Sequence, residues 1–178
     1  DHPVHFYHLH GLDWVDVVSA LKADPHKAAV EAFKYTDAPM ACGADDLVAA
    51  QKRVAEFVKK GHLGPFANAY WGHSTYKLTP EQNLIAVSHY LKALELQRVA
   101  AQMMAIFGAK QPHPQSLTVG GVTCIMDLQT PSRLGEFLTK FKEIAEFVNR
   151  AYYPDVVMAG KAYAGEPSVT GGLGVANL

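Results

Sequence analysis

Cysteine is scarce in this 178-residue sequence, which contains only Cys42 and Cys124. No CxxC pair is present, and neither cysteine has a histidine at the spacing of zinc or iron–sulfur ligands. A metal site of that kind built from this chain alone is therefore not expected. Two isolated cysteines favour buried thiols, although a single disulfide would also be compatible with the sequence.

An excess of charge of either sign is also missing. The chain has 16 Lys and Arg against 17 Asp and Glu, a formal net charge of -1. Nucleic acids and anionic membranes attract proteins with a clear cationic excess, so neither is an expected partner. No apolar run approaches the roughly 20 residues that span a bilayer, and the first ten residues do not form a secretory signal.

Two common catalytic motifs are absent as well. There is no G-x-S-x-G nucleophile elbow, so hydrolytic catalysis is not supported. The glycines at positions 171, 172 and 174 follow no predicted strand and precede no P-loop lysine. Nucleotide binding is therefore not supported either.

The apolar residues that are present predict a mainly α fold, a bundle of long helices with a short β-hairpin. A first helix is predicted over residues 4–21, and a second begins with Asp24 as N-cap and Pro25 in its first turn. Residues 36–43 are predicted to be a loop. Asp45 or Asp46 is expected to cap a third helix that ends at Gly61.

The stretch from residue 61 to 78 is rich in glycine and aromatic residues, and we expect an ordered, largely buried loop. Thr79 and Gln82 predict a capping box at the start of a long helix that runs to about Phe107. Its buried stripe is predicted to contain Leu84, Val87, Leu91 and Leu94.

A hairpin is expected around Gly120 and Gly121, followed by a last long helix from about Pro131 that Pro154 interrupts or kinks. The predicted buried face of that helix consists of Leu134, Phe137, Leu138, Phe141, Ile144, Ala145, Val148 and Tyr152. Residues 1–178 are expected to form a single partial domain. Because the sequence begins with Asp1 and stops in a glycine-rich stretch, we expect an internal fragment of a longer polypeptide, with a processed product as the alternative.

Four of the nine histidines lie in the first ten residues: His2, His5, His8 and His10. On an α-helix, residues three apart share a face, which would allow metal binding. No acidic partner stands at metalloprotease spacing, so hydrogen-bonded histidines in a packed interior are the alternative.

His113 lies between Pro112 and Pro114 in the segment GAKQPHPQSLTVGGVTC. Each proline fixes its own φ and restricts the residue before it, so the imidazole is held at little entropic cost. Such a histidine suits a site at which the imidazole must point at one particular atom. A rigid loop that only packs is the alternative.

The segments DHPVHFYHLHGLDWVDV and GAKQPHPQSLTVGGVTC together resemble the large subunit of nickel–iron hydrogenases of the respiratory, membrane-bound uptake type. The likeness continues through LGPFANAYWGH and YKLTPEQNLIAVSHYLKALELQR, and so covers nearly the whole chain. It implies reversible oxidation of H₂ to protons and electrons. This segment would supply scaffold, surroundings of the metal site and the interface to the small subunit.

The resemblance implies a nickel–iron centre that carries carbonyl and cyanide ligands and is held by two CxxC pairs. Both pairs are missing here, so the chain is expected to begin after the first pair, to stop before the second, and to bind no nickel alone. The implied partner is a small subunit with iron–sulfur clusters, which can dock on a membrane cytochrome b. The implied location is the periplasmic side of the cell membrane.

Two site residues follow from the resemblance. Asp1 is similar to the acidic residue that lies above the open position of the metal centre, where it would orient a nearby arginine. His113 is similar to the histidine that faces the small subunit's proximal cluster, whose potential a hydrogen bond would tune. Two rival hypotheses are a non-catalytic helical module that assembles with an electron-transfer partner, and a stand-alone metal-binding helical protein that uses His2, His5 and His8.

Overall fold

Helices predominate in the computed structural model, which describes residues 1–68 and 71–166. The α-helices are α1 Gly11–Trp14, α2 Pro25–Ala32, α3 Ala44–Lys60, α4 Pro80–Gly108, α5 Ile125–Gln129, α6 Pro131–Phe147 and α7 Tyr153–Tyr163. Between them lie π-helical turns at Val4–Leu9 and Val148–Tyr152 and 3-10 turns at Ser19–Lys22 and Gly64–Asn68. The predicted mainly α class is confirmed.

The single helix predicted over residues 4–21 is wrong, because the chain forms a π-helix, the short α1, an extended residue at Val15 and a 3-10 turn there. Asp16 explains the break. Its backbone N–H donates to Asn83 Oδ1 at 2.9 Å, and its carboxylate accepts from the N–H groups of Ser19 at 2.9 Å and Gly72 at 2.8 Å. These long-range bonds replace the i→i−4 ladder that would continue the helix.

The start of α2 and the end of α3 follow the sequence closely, whereas the start of α3 does not. The Asp24 carboxylate accepts from His26 N–H at 2.9 Å and caps α2 as predicted. For α3 the prediction of Asp45 or Asp46 as N-cap is wrong: the N-cap is Gly43, whose N–H donates to Asp46 Oδ2 at 3.3 Å. Gly61 ends α3 in the left-handed region, with φ of 70°, as predicted.

Helix α4 is the central element, and α2, α3, α6 and the 3-10 turn Ser19–Lys22 pack on it. Thr79 and Gln82 form the predicted capping box through bonds of 3.0 and 3.2 Å. Residues 83–89 are buried on every side, whereas Leu94 is 42% exposed, so the predicted stripe holds only for the first turns. Within the described ranges, no helix has the length and apolar content needed to cross a bilayer.

The loop between α3 and α4 is less buried than predicted. Most of its described residues are exposed, Phe66, Trp71 and Tyr76 are half-buried, and Leu78 is buried. Phe66 packs on Tyr90 at a ring distance of 5.2 Å, so the aromatic residues line the edge of the core rather than its centre. Residues 69 and 70 lie outside the described part.

The predicted hairpin is confirmed, with β1 Leu117–Thr118 antiparallel to β2 Gly121–Val122 and Leu117 opposite Val122. The last helix begins at Pro131 as predicted, but its predicted buried face is only partly correct. Phe137 and Ile144 are half-buried and Phe147 is buried, whereas Leu134, Leu138 and Phe141 are exposed by 38%, 46% and 52%.

Pro154 marks the junction at which the π-helix Val148–Tyr152 passes into α7. Phe147, Val148, Tyr152 and Tyr153 all have right-handed helical backbone angles, so the predicted interruption is a change from α-helical to π-helical hydrogen bonding just before the proline, which has no N–H to donate. The glycine-rich residues 167–178, including the glycines at 171, 172 and 174, lie outside the described part.

Candidate functional site

Asp1, the first predicted site residue, is exposed at the start of the N-terminal π-helix. Its backbone carbonyl accepts from His5 N–H at 3.0 Å and lies 2.9 Å from His5 Nδ1. These two contacts tie the backbone of Asp1 to the first turn and leave its carboxylate at the surface.

His113, the second predicted site residue, is exposed in the connection between α4 and β1. The connection is closed by a 2.8 Å bond from Gln115 N–H to the carbonyl of Gly108. A Cβ on Gly108 would lie 3.3 Å from Pro114 Cβ, which explains a glycine at this close approach. In residues 1–68 and 71–166, no hydrogen bond or ion pair joins Asp1 to His113.

The N-terminal histidines bind different partners. The ring of His8 lies between the Tyr90 carbonyl, 3.3 Å from Nε2, and the Gln97 amide, 2.5 Å from Nδ1. Burial lowers the pKa of His8, in keeping with a neutral ring that donates to Tyr90 and accepts from Gln97. His10 pairs instead with Asp13 at 3.1 Å. In the described ranges no three His, Cys, Asp or Glu side chains converge on a metal position.

A buried polar cluster, which sequence reasoning missed, joins Tyr7, Cys42, His89 and Asp155. All four are at most 3% exposed. Asp155 Oδ2 accepts from Tyr7 O–H at 2.8 Å and lies 2.7 Å from His89 Nδ1. On the other side of the ring, His89 Nε2 lies 2.9 Å from Cys42 Sγ and 2.7 Å from the carbonyl oxygen of Met40.

These partners fix the protons of His89. A carbonyl oxygen can only accept, so Nε2 carries a proton that it donates to Met40. Burial alone would lower the pKa of His89, but the Asp155 carboxylate and Cys42 raise that pKa well above its usual value near 6.5. The imidazole is therefore charged at neutral pH and donates through Nδ1 to Asp155.

Tyr7 is the fourth member of the buried cluster and stays protonated. Burial, followed by the charge of Asp155, raises the pKa of the Tyr7 phenol well above 10. The phenol therefore remains a donor to Asp155, whose carboxylate receives two hydrogen bonds on one oxygen.

The order Cys42, His89, Asp155 is that of a nucleophilic triad, but the surroundings do not suit catalysis. The cavity beside His89 and Asp155 measures about 10 Å³, which is room for at most one water molecule. The buried cluster instead joins four segments of the chain: the N-terminal π-helix, the loop that precedes α3, helix α4 and helix α7. It acts as a structural clasp.

Aromatic packing surrounds this clasp where the two π-helices meet. Tyr7 lies 5.9 Å from Phe147 and 6.3 Å from Tyr152 between ring centres, and Phe6 lies 5.5 Å from Tyr152. π-Helical turns often occur at functional sites. Here the N-terminal π-helix carries Tyr7, whose hydroxyl donates to Asp155 in the first turn of α7.

One signal could have revealed the buried cluster in the sequence. His89 and Asp155 each interrupt an otherwise apolar stretch, LIAVSHY and PDVVMAG respectively. A charged residue in such a stretch is buried only when it is paired. The sequence, however, gives no indication of which residues pair.

The two cysteines lie in different parts of the fold. Both are free thiols; Cys42 is buried as predicted, whereas Cys124 is only half-buried. Cys42 belongs to the clasp and Cys124 precedes α5, so they do not form a common ligand set.

The sequence is similar to those of known proteins of one family. The family model described as nickel-dependent hydrogenase matches residues 1–178. The large chain of the quinone-reactive Ni/Fe-hydrogenase of Wolinella succinogenes is 72% identical over 178 residues, which are 100% of this chain and 31% of that protein. The uptake hydrogenase large subunit of Rhizobium leguminosarum bv. viciae is 44% identical over 92% of this chain and 28% of its own length.

A solved structure has the same fold. The Ni-Fe-Se hydrogenase from D. vulgaris Hildenborough superimposes with a TM-score of 0.61 at 27% identity, over 92% of this chain and 24% of that one. The chain therefore spans about a third or less of the relatives that it matches.

Proposed function

The chain belongs to the nickel-dependent hydrogenase family, and from this premise we propose that it is part of the catalytic large subunit of a nickel–iron hydrogenase. The reaction of the complete enzyme is H₂ ⇌ 2 H⁺ + 2 e⁻. The observation that carries this proposal is the 72% identity to a hydrogenase large chain over every residue of the sequence. This segment contributes the helical scaffold and the clasp at its centre.

Membership of the family implies a nickel–iron centre, which the described residues do not fit. Cys42 is engaged by His89, and no three candidate ligands converge in residues 1–68 and 71–166. We therefore derive no chemical step on the metal from this chain. The proposal is that two CxxC pairs elsewhere in the large subunit hold the centre, and that its iron carries carbonyl and cyanide ligands.

The proposed partner is a small subunit whose iron–sulfur clusters carry the electrons away. The relative from Wolinella succinogenes is named quinone-reactive, which supports a membrane cytochrome b as the next partner of the heterodimer. The proposed location is the periplasmic side of the cell membrane, and the proposed direction in the cell is H₂ uptake.

Asp1 and His113, both exposed, keep their proposed roles. The surface carboxylate of Asp1 is free to orient a cationic side chain of the complete subunit. His113 is exposed on a loop closed between Gly108 and Gln115, so it can donate a hydrogen bond to a partner's cluster.

The test is hydrogen-dependent dye reduction by the full heterodimer with Asp1→Ala or His113→Ala. Asp1→Ala is expected to lower the rate about 10-fold or more, the size typical of residues that support metal ligands. His113→Ala is expected to shift the potential of the proximal cluster and to slow dye reduction. The exposed residues Asp13 and His26 provide matched controls as Asp13→Ala and His26→Ala, with unchanged rates.

Unchanged activity in both Asp1→Ala and His113→Ala would remove the two site assignments and leave family membership intact. The rival hypothesis, a non-catalytic helical module, predicts that the wild-type heterodimer reduces no dye with hydrogen. The two proposals are therefore separated by the wild-type measurement alone.

A further inference from the structure

Helix α6 has two adjoining apolar faces, of which only one is covered. Its inner face contains Phe137, Ile144 and Phe147 and packs on α4, where Phe137 lies 4.8 Å from the ring centre of Phe107. Its outer stripe consists of Leu134, Leu138, Phe141 and Ala145.

The outer stripe has the spacing of a helix-packing seam. Its residues follow one another by four, three and four positions, which places them in one row at 100° per residue. The three large side chains of the row are exposed by 38%, 46% and 52%. The acidic and hydroxyl residues of the helix lie on the opposite side: Ser132, Glu136, Thr139, Glu143 and Glu146. Arg133 and Lys140 flank the inner face, where they donate to the Ile106 carbonyl and to Gln102 on α4, and Lys142 borders the outer stripe.

The outer stripe is continuous with the core. The rings of Phe137 on the inner face and Phe141 on the stripe are stacked, 6.4 Å apart and 12° from parallel. The apolar surface thus passes from the α4 contact onto the stripe without a polar rim. A rim of polar residues is typical of the edge of an interface between separate proteins. The stripe therefore has the character of a protein interior rather than of an interface between separate proteins.

We propose that the outer stripe of α6 is the docking seam for an amphipathic helix of the same large-subunit polypeptide, from outside residues 1–178. This inference rests on the proposed function, because it needs the longer chain. The relatives supply that length: 69% of the Wolinella succinogenes large chain lies beyond the matched segment, as the complement of the 31% that is matched. A covalently joined helix also reaches an effective concentration of the order of mM, which favours it over a separate partner.

The spacing of the stripe also specifies how the helix docks. A row with alternating steps of three and four accepts the knobs of a second helix that crosses at about 20°. The expected occupant therefore has its own apolar residues at the same spacing and lies roughly along α6.

The test measures the reaction of a cysteine on the stripe with iodoacetamide. Leu138→Cys is compared with Thr139→Cys, an adjacent exposed position on the polar side of α6. Each variant is prepared in the full-length large subunit, alone and as the heterodimer, and labelled peptides are quantified by mass spectrometry. The thiol of Leu138→Cys is expected to react at least about 10-fold more slowly than the thiol of Thr139→Cys in both preparations, because a packed helix excludes the reagent.

Three results would overturn the proposal. Equal rates at both positions would leave the stripe uncovered. Protection that appears only in the heterodimer would assign the stripe to the small subunit. Protection that disappears on dilution would assign it to a second copy. If Leu138→Cys does not assemble, Phe141→Cys replaces it in the same comparison.

Hydrogen-dependent dye reduction by the wild-type heterodimer separates the two proposals. An active enzyme in which the thiol of Leu138→Cys reacts freely would refute the docking seam and leave the proposed function standing. An inactive enzyme would refute the function instead.

Discussion

His89 and Asp155 have side chains only 2% exposed, so water screens neither charge. Transfer of an ion from water into a protein interior costs several kcal/mol, and good geometry with further hydrogen bonds is needed to offset it. The 2.7 Å contact between the two residues, the Tyr7 hydroxyl and the Met40 carbonyl meet this need. Removal of one partner would leave the other charge buried and unpaired.

We therefore expect Asp155→Asn to lower the free energy of unfolding by about 3–5 kcal/mol. The matched control is Asp127→Asn, which removes a 3.3 Å pair with the side chain of Arg133 at the surface. Because water screens that pair, its loss is expected to cost less than about 1 kcal/mol. Urea denaturation of the full-length protein measures both changes. Equal effects would contradict the clasp.

The same pair predicts the pH dependence of this effect. The pKa of His89 is raised in the folded chain, so its stabilisation is fully present below the unfolded value near 6.5. It declines as the pH rises above that value and is lost as the pH passes through the folded pKa. The gap between wild type and Asp155→Asn should therefore narrow as the pH is raised from 6 to 9. A gap that widens would contradict a charged His89.

The histidines show what a single sequence can and cannot predict at this scale. A row of His2, His5 and His8 on one face requires an α-helix, whereas the chain forms a π-helix over Val4–Leu9. His8 consequently bonds to Tyr90 and Gln97 on α4. The pairing of His89 with Asp155 spans 66 positions, and no local pattern encodes such a contact. The roles of Asp1 and His113 stay predictions.

At the scale of the elements, helix ends were predicted best, because capping is a local interaction. Asp24, Thr79 and Gln82 form the expected bonds, and Gly61 adopts the left-handed conformation that ends α3. The end of α4 is different, since Ala109 has φ of 62° without being glycine. An alanine in this region is strained by contact of its Cβ with the carbonyl oxygen.

Ala109→Gly is expected to stabilise the chain by up to about 1.6 kcal/mol. The substitution removes about 1–2 kcal/mol of left-handed strain. The greater freedom of glycine in the unfolded chain costs about 0.4–1 kcal/mol of this gain. Gly61→Ala is the reciprocal control and is expected to destabilise by about 1 kcal/mol, because a Cβ at φ of 70° meets no atom within 4 Å and only the backbone is strained. Thermal unfolding of the assembled enzyme measures both. A loss of stability in Ala109→Gly would refute the assignment of strain.

The elements that were mispredicted are those that tertiary contacts decide. The bonds of Asp16 to Asn83 and Gly72 break the N-terminal helix, and a lone sequence cannot indicate them. On α6 the apolar pattern was recognised correctly, but Leu138 and Phe141 are exposed rather than buried. The apolar periodicity indicates which residues form a packing face. It does not indicate whether the segment that packs on this face belongs to the same stretch of chain.

At the scale of the whole molecule, exposed apolar side chains are concentrated in one part of the described chain. The hairpin, α5 and α6 together expose Leu117, Val119, Val122, Ile125, Met126, Leu128, Leu134, Leu138 and Phe141. Large exposed apolar surfaces of this kind mark interaction sites or lead to aggregation. The prediction of one partial domain over residues 1–178 stays open to experiment.

The isolated 178-residue chain is therefore expected to aggregate when it is produced without the rest of its subunit. Size-exclusion chromatography should show material in the excluded volume, and Leu138→Lys combined with Phe141→Lys should reduce that fraction by shrinking the apolar surface. A soluble monomer with a cooperative thermal transition would contradict this expectation.

The clasp also imposes an order of events on biosynthesis. Tyr7 leaves the ribosome 148 positions before its acceptor Asp155. At about 5–20 residues per second, the segment around Tyr7 emerges about 7–30 s before that carboxylate is translated. Throughout this interval Tyr7 lacks the aromatic neighbours Phe147 and Tyr152 on which it packs in the folded chain, so this apolar segment stays uncovered until the last helices have been made.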